Sequence, residues 1–214
     1  MKKILLASAM ALSISSFAQI DLRGTRFGLT AGGNYSRVKN AHNPSGARFA
    51  FQGGVLALIP IGKADQFYLQ PEVVYYGAGE SGKDKNAKGT PGYNAMYANN
   101  YISVPVSFKG YFSEAESEFF GLIGPRFNFL LNQKVTNESR DIYKTDQEGK
   151  ANSFNFAIGA GIGYSYKRQL EVALKYDLGL SNTYPKLDES KLDPNSLKKK
   201  SEQVLSISLS YIFE

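Results

Sequence analysis

The stretch LEVALKYDLGL at residues 170–180 sets Leu170, Val172, Leu174, Tyr176, Leu178 and Leu180 on one face and Glu171, Ala173, Lys175, Asp177 and Gly179 on the other. Period-two alternation of this length is the pattern of a β-strand with two unlike surroundings. The same reading extends outward. FNFAIGAGIGYSY at residues 154–166 opposes Phe154, Phe156, Ile158, Ile162, Tyr164 and Tyr166 to Asn155, Ala157, Gly159, Gly161, Gly163 and Ser165. Leu205, Ile207, Leu209, Tyr211 and Phe213 likewise oppose Ser206, Ser208 and Ser210. Glycine, alanine and serine on the polar face suit the crowded inside of a narrow closed barrel, so the apolar face points to lipid.

Eight such segments are predicted, at residues 25–35, 47–59, 66–76, 97–112, 118–131, 152–166, 169–180 and 203–213. Most reach the roughly 9 to 11 residues that cross a bilayer at a tilt. Long linkers at 36–46, 77–96, 132–151 and 181–202 alternate with short ones at 60–65, 113–117 and 167–168. Outer-membrane barrels show this order, with long loops outside and short turns in the periplasm, so both termini are expected in the periplasm. The predicted fold class is all-β: an eight-stranded antiparallel up-and-down transmembrane β-barrel. Tyr35, Tyr75, Tyr76, Tyr101, Tyr111, Phe112, Phe119, Tyr166 and Tyr211 near strand ends are expected to form interfacial girdles.

The N-terminus has the form of a signal peptide at residues 1–18, with Met1, Lys2 and Lys3 ahead of an apolar run and the small residues Ser16 and Ala18 before a cleavage point. Cleavage after Ala18 leaves residues 19–214 as one outer-membrane barrel domain and places the chain in the cell outer membrane. Loss of Lys2 and Lys3 leaves 23 basic against 19 acidic side chains, a net charge of +4 in place of +6. That charge is too mild and too dispersed for a nucleic-acid partner. With no cysteine, disulfides, thiolate chemistry and cysteine-ligated metals are excluded.

At this point the chain resembles the Bacteroidetes outer-membrane β-barrel family often called the PorT family. The likeness is carried by GLTAGGNYS at residues 28–36, YISVPVSFKGYF at 101–112, FFGLIGPRF at 119–127, and YDLGLSN at 176–182 with the terminal LSYIF. The resemblance implies the barrel fold. The founding member is associated with the type IX secretion pathway, a role that family membership alone does not transfer.

Candidate chemistry is sparse, and no cofactor is expected. The single histidine, His42, could centre a lipid A modifying enzyme, but no nucleophile motif surrounds any serine, and an exposed turn residue is the expectation. Gly159, Gly161 and Gly163 miss the spacing of a dinucleotide loop and read as lumen-facing small residues. Asp188 and Glu189 lie among lysines and show no metal-ligand spacing. Glu72, Lys109, Arg126, Glu171, Lys175 and Asp177 are expected inside the lumen as a connected charge network that plugs it. Lys198, Lys199 and Lys200, with Lys83, Lys85 and Lys88, put positive charge on the outer side, where they either contact lipopolysaccharide phosphates or are simply solvated. The function expected is a non-enzymatic structural, surface-interaction or secretion-associated protein, whose partners are outer-membrane lipid, lipopolysaccharide and envelope proteins. The alternatives are a passive small-solute porin, a lipid A enzyme at His42, and a soluble ligand-binding barrel.

Overall fold

The computed structural model describes residues 24–62, 65–138, 149–188, 190 and 194–213. The signal-peptide reading at residues 1–18 and Glu189 lie outside them. Eight strands account for most of the chain: β1 (Arg26–Lys39), β2 (Gly46–Pro60), β3 (Phe67–Ser81), β4 (Met96–Tyr111), β5 (Glu118–Thr136), β6 (Phe154–Tyr166), β7 (Leu170–Gly179) and β8 (Ser201–Ile212). Each pairs antiparallel with its sequence neighbours, and β8 returns to β1, so the sheet is a closed barrel without an edge. The seam runs from Gly28 opposite Ile212 to Lys39 opposite Ser201, and Phe213 N donates to Phe27 O at 2.7 Å beyond it. Gly32 lets this seam close tightly, since a Cβ there would sit 2.1 Å from the Ile207 carbonyl oxygen.

The strands overrun the predicted limits at the long-loop end. β1 continues to Lys39, β3 to Ser81 and β5 to Thr136, because backbone pairing does not stop where the apolar side chains do. The first long linker therefore shrinks to residues 40–45, no longer than the turn at 61–66, while the links at 82–95, 137–153 and 180–200 stay long.

The two faces separate as the alternation requires. Leu29, Phe51, Val73, Phe108, Ile123, Ile162, Leu174 and Ile207, one from each strand, are 45% to 71% exposed on the outer wall. Asn34, Gln52, Gln70, Ser103, Ser206 and Ser208 are buried within. Large apolar side chains standing out on every strand lose about 25 cal/mol for each Å² kept in water, and this inverted barrel is at home only in lipid. A soluble barrel would have the opposite arrangement. Among the described residues no helix is long and apolar enough to cross a membrane; the strands do the crossing.

The outward orientation that a girdle requires is met by Tyr35, Tyr75, Phe112, Phe119, Tyr166 and Tyr211, which are 46% to 67% exposed. It fails for Tyr76, Tyr101 and Tyr111, which are at most 1% exposed and fill the lumen. Each follows the inward parity of its strand, so the neighbour of Tyr76, Tyr75, is the one that faces out.

Candidate functional site

The lumen is built in layers from the inward rows. At the short-turn end Leu56, Leu58, Tyr68, Tyr111, Phe120, Leu122, Ala173 and Ile212 form an apolar floor. Beneath it Arg168, from the β6–β7 turn, donates to Glu118 Oε1 at 2.6 Å and to the Asp65 carbonyl at 2.7 Å, tying together three turns. Burial pulls this guanidinium's pKa down, but the hydrogen bonds and charge of Glu118 outweigh it and hold it above the ordinary value.

The six charges predicted for the lumen are all buried and form three ion pairs, Lys109–Glu171 within the floor and the other two above it. Lys109 Nζ donates to Glu171 Oε1 at 2.6 Å and lies 4.2 Å from the Phe120 ring centre. Tyr111 donates to the same carboxylate at 2.7 Å. Lys175 Nζ donates to Glu72 Oε1 at 3.2 Å, and Gln70 supplies Glu72 with a second donor at 2.9 Å. Arg126 Nε meets Asp177 Oδ1 at 3.1 Å, its Nη1 donates to Ser103 Oγ at 3.2 Å, and its guanidinium lies 4.5 Å from the Tyr76 ring centre. Strand β7 supplies one member of every pair: Glu171, Lys175 and Asp177.

The glycines of β6 make room for these side chains. A Cβ at Gly159 would lie 2.3 Å from Asp177 Oδ1, one at Gly161 2.7 Å from Lys175 Cγ, and one at Gly163 2.2 Å from the Phe120 ring. Each glycine is therefore the space a plugging side chain of its neighbour occupies. Higher up, Val74, Tyr76, Ala78, Tyr101 and Val204 form a second apolar layer. Beside it a void of about 10 Å³, lined by Tyr76, Asn155, Asp177 and Glu202, has room for one water molecule.

His42 departs most from expectation. It is 5% exposed, not a solvated turn residue, because the extended β3 brings Glu80 beside the first loop and Tyr97 at the start of β4 covers its ring. Its ring stacks on Tyr97 with centroids 3.5 Å apart and meets Tyr184 edge-on at 5.2 Å. Nδ1 makes a short contact with Glu80 Oε1, and Ser45 Oγ donates to the other oxygen of the same carboxylate. The serine hydroxyl thus addresses the acid and not the imidazole, which is the wrong order for a hydroxyl nucleophile activated by histidine. Burial, together with Glu80 and Glu202, pushes the Tyr184 hydroxyl pKa well up, so it stays neutral and accepts a hydrogen bond from Asn99 Nδ2 at 2.9 Å. Sequence reasoning missed Glu80, although it continues the inward row of Glu72, Val74, Tyr76 and Ala78 on β3. Among the described residues no group of three or more His, Cys, Asp or Glu could hold a metal ion.

Of the loop lysines, Lys198 and Lys199 are exposed, whereas Lys200 is 3% exposed and donates to the Ser196 carbonyl. Inward parity at the start of β8 turns Lys200 away from any lipid surface. Lys83, Lys85 and Lys88 are exposed in the β3–β4 loop.

Comparison with known proteins places this architecture. Among solved structures, the outer membrane enzyme PagL is 9% identical, with a TM-score of 0.51 over 85% of this chain and 98% of that one. Neisserial surface protein A is 12% identical, with a TM-score of 0.47 over 89% and 99%. Ail, the attachment invasion locus protein of Yersinia pestis, is 10% identical, with a TM-score of 0.45 over 88% and 98%. No curated protein matches the chain. The family model described as "Outer membrane protein beta-barrel domain" matches residues 17–184. With a closed barrel, an apolar outer wall and a match over most of its length, this chain belongs to the outer membrane protein beta-barrel domain family and resides in the outer membrane.

Proposed function

We propose that this protein is a non-enzymatic, non-conducting barrel that acts through its outer wall and long-loop end, as a structural, surface-interaction or secretion-associated component of the PorT type. The observation that carries the reading is the pairing of Glu72, Lys109, Arg126, Glu171, Lys175 and Asp177 with one another in the lower and middle lumen. Charges that line an ion path face water and permeant ions, whereas these carboxylates and cations are within 3.2 Å of their partners and out of solvent. An eight-stranded barrel is only wide enough for its own side chains to fill. The envelope-secretion role rests on the four motif stretches quoted above. The non-enzymatic reading is supported by Ser45 donating to Glu80 and by the burial of His42 between Tyr97 and Tyr184.

Planar-bilayer recording tests the plug. The protein should insert without steady conductance. Stable, ion-selective current that Arg126→Ala shifts without loss of folding would overturn the reading and favour the passive porin.

A further inference from the structure

We infer that the β1/β8 side of the rim is a binding site for the phosphate groups of outer-leaflet lipid A, formed by Arg37, Lys39, Lys198 and Lys199 beside the exposed Leu197. The inference rests on the proposed topology, in which the long-loop end faces outward. On β1 the outward row runs Leu29, Ala31, Gly33, Tyr35, Arg37, Lys39: apolar, then aromatic, then cationic, the order of a bilayer's core, interface and headgroup layers. In the seam register Lys39 lies opposite Ser201 and Arg37 opposite Gln203, so the end of the β7–β8 loop adjoins this row. Asn40 Nδ2 donates to the Lys199 carbonyl at 3.0 Å and holds the loop there.

One further contact and one exposed side chain fix the height. Lys199 Nζ donates to the carbonyl of Leu180, a lipid-facing residue at the top of β7, so this ammonium sits over the barrel wall and not over the lumen. Leu197, 72% exposed, is next to Lys198 at the end of a short 3-10 turn, Pro194–Leu197. An exposed leucine beside two exposed lysines suits an amphiphile, with phosphate for the cations and acyl chain for the leucine.

Among the strand residues the charge is one-sided: at the same height β3 and β4 carry the uncharged, buried Gly77, Gly79, Ser81 and Ala98 and the half-buried Asn100, and Lys134 on β5 stands apart. The carboxylate on the seam, Glu202, is turned into the lumen and 5% exposed, so it does not neutralise the patch from outside. Lys198 gives one proton to Asn195 at 2.9 Å and Arg37 gives Nε to Ser45 at 3.1 Å, which leaves donors on both for a phosphate. Four cations gathered on one side repel one another unless an anion sits among them.

The test uses the mature protein, folded in zwitterionic micelles and titrated with purified lipid A at fixed salt. The variant carrying Arg37→Gln, Lys39→Gln, Lys198→Gln and Lys199→Gln is compared with one carrying Lys83→Gln, Lys85→Gln and Lys88→Gln, both checked for folding by heat-dependent gel mobility. The rim variant should bind lipid A at least about tenfold more weakly, and the loop variant should match the parent. Leu197→Ser should weaken lipid A binding and leave retention of heparin, an anion without acyl chains, unchanged. Equal affinity in the two lysine variants would overturn the site. Full competition by inorganic phosphate, or no effect of Leu197→Ser, would show a general anion site and not a lipid site. Surface biotinylation of Lys85 on intact cells checks the topology separately, so a wrong orientation is told apart from a wrong site.

Discussion

Arg126 on β5 and Asp177 on β7 meet at 3.1 Å although the whole of β6 runs between their strands. The contact passes over Gly159, the β6 residue paired with Asp177, whose missing side chain leaves the carboxylate its position. Both charges are at most 5% exposed, so neither has water to fall back on. Arg126→Ala should therefore cost on the order of 3 to 5 kcal/mol, whereas the double change Arg126→Met with Asp177→Leu should recover most of that loss. Urea unfolding in lipid vesicles, followed by tyrosine fluorescence, measures both.

Gly159→Ala tests the same contact from the third strand. Its Cβ would displace the Asp177 carboxylate from Arg126, and a loss of roughly 1 to 3 kcal/mol is expected, the range of an overpacked interior. Gly53→Ala is the control, because a Cβ there meets nothing closer than 3.6 Å. Equal effects in the two variants would mean that the space at Gly159 is not what positions Asp177.

Leu174 is 47% exposed on the lipid side at the middle of β7, opposite Ile162 on β6 and Ile207 on β8. Leu174→Arg should destabilise the inserted barrel by roughly 2 to 4 kcal/mol, the cost of a guanidinium near the bilayer midplane. A parent-like unfolding midpoint in thick-bilayer vesicles would contradict the assignment of this face to lipid.

His42→Ala removes the ring that stacks on Tyr97 and the partner of one Glu80 oxygen. The expected outcome is a folded barrel less stable by about 1 to 3 kcal/mol, since Ser45 still holds the other oxygen. Lipid A extracted from cells with this variant should be unchanged by mass spectrometry. An altered acyl pattern would make His42 part of an enzyme.

The architecture was legible because period two is a local property. Leu170, Val172 and Leu174 declare their face without knowledge of any neighbour, and so do Glu171 and Asp177. What stayed hidden depends on which strands lie across from one another and at what stagger. The inward parity of Lys109 is visible in YISVPVSFKGYF, but its pairing with Glu171, three strands away around the barrel, is not. Consecutive aromatics such as Tyr75 and Tyr76 blur parity, so position near a strand end does not separate lumen-filling tyrosines from interfacial ones. The burial of His42 is hidden for a further reason: it follows from the overrun of β3, where the small residues Gly77, Ala78 and Gly79 erase the alternation that marks a strand.

The seam between β1 and β8 has a consequence for how the molecule is made. The first strand of the barrel receives its second partner only when the last, twelve-residue strand arrives. Until then every shorter chain presents two open strand margins and a wall of bare leucine, phenylalanine and isoleucine to the aqueous space it crosses, a combination prone to self-association. Closure is thus the event that converts a hazardous polypeptide into a stable one, and it cannot occur piecemeal. An incomplete barrel of this chain is therefore a liability until its final strand is in place.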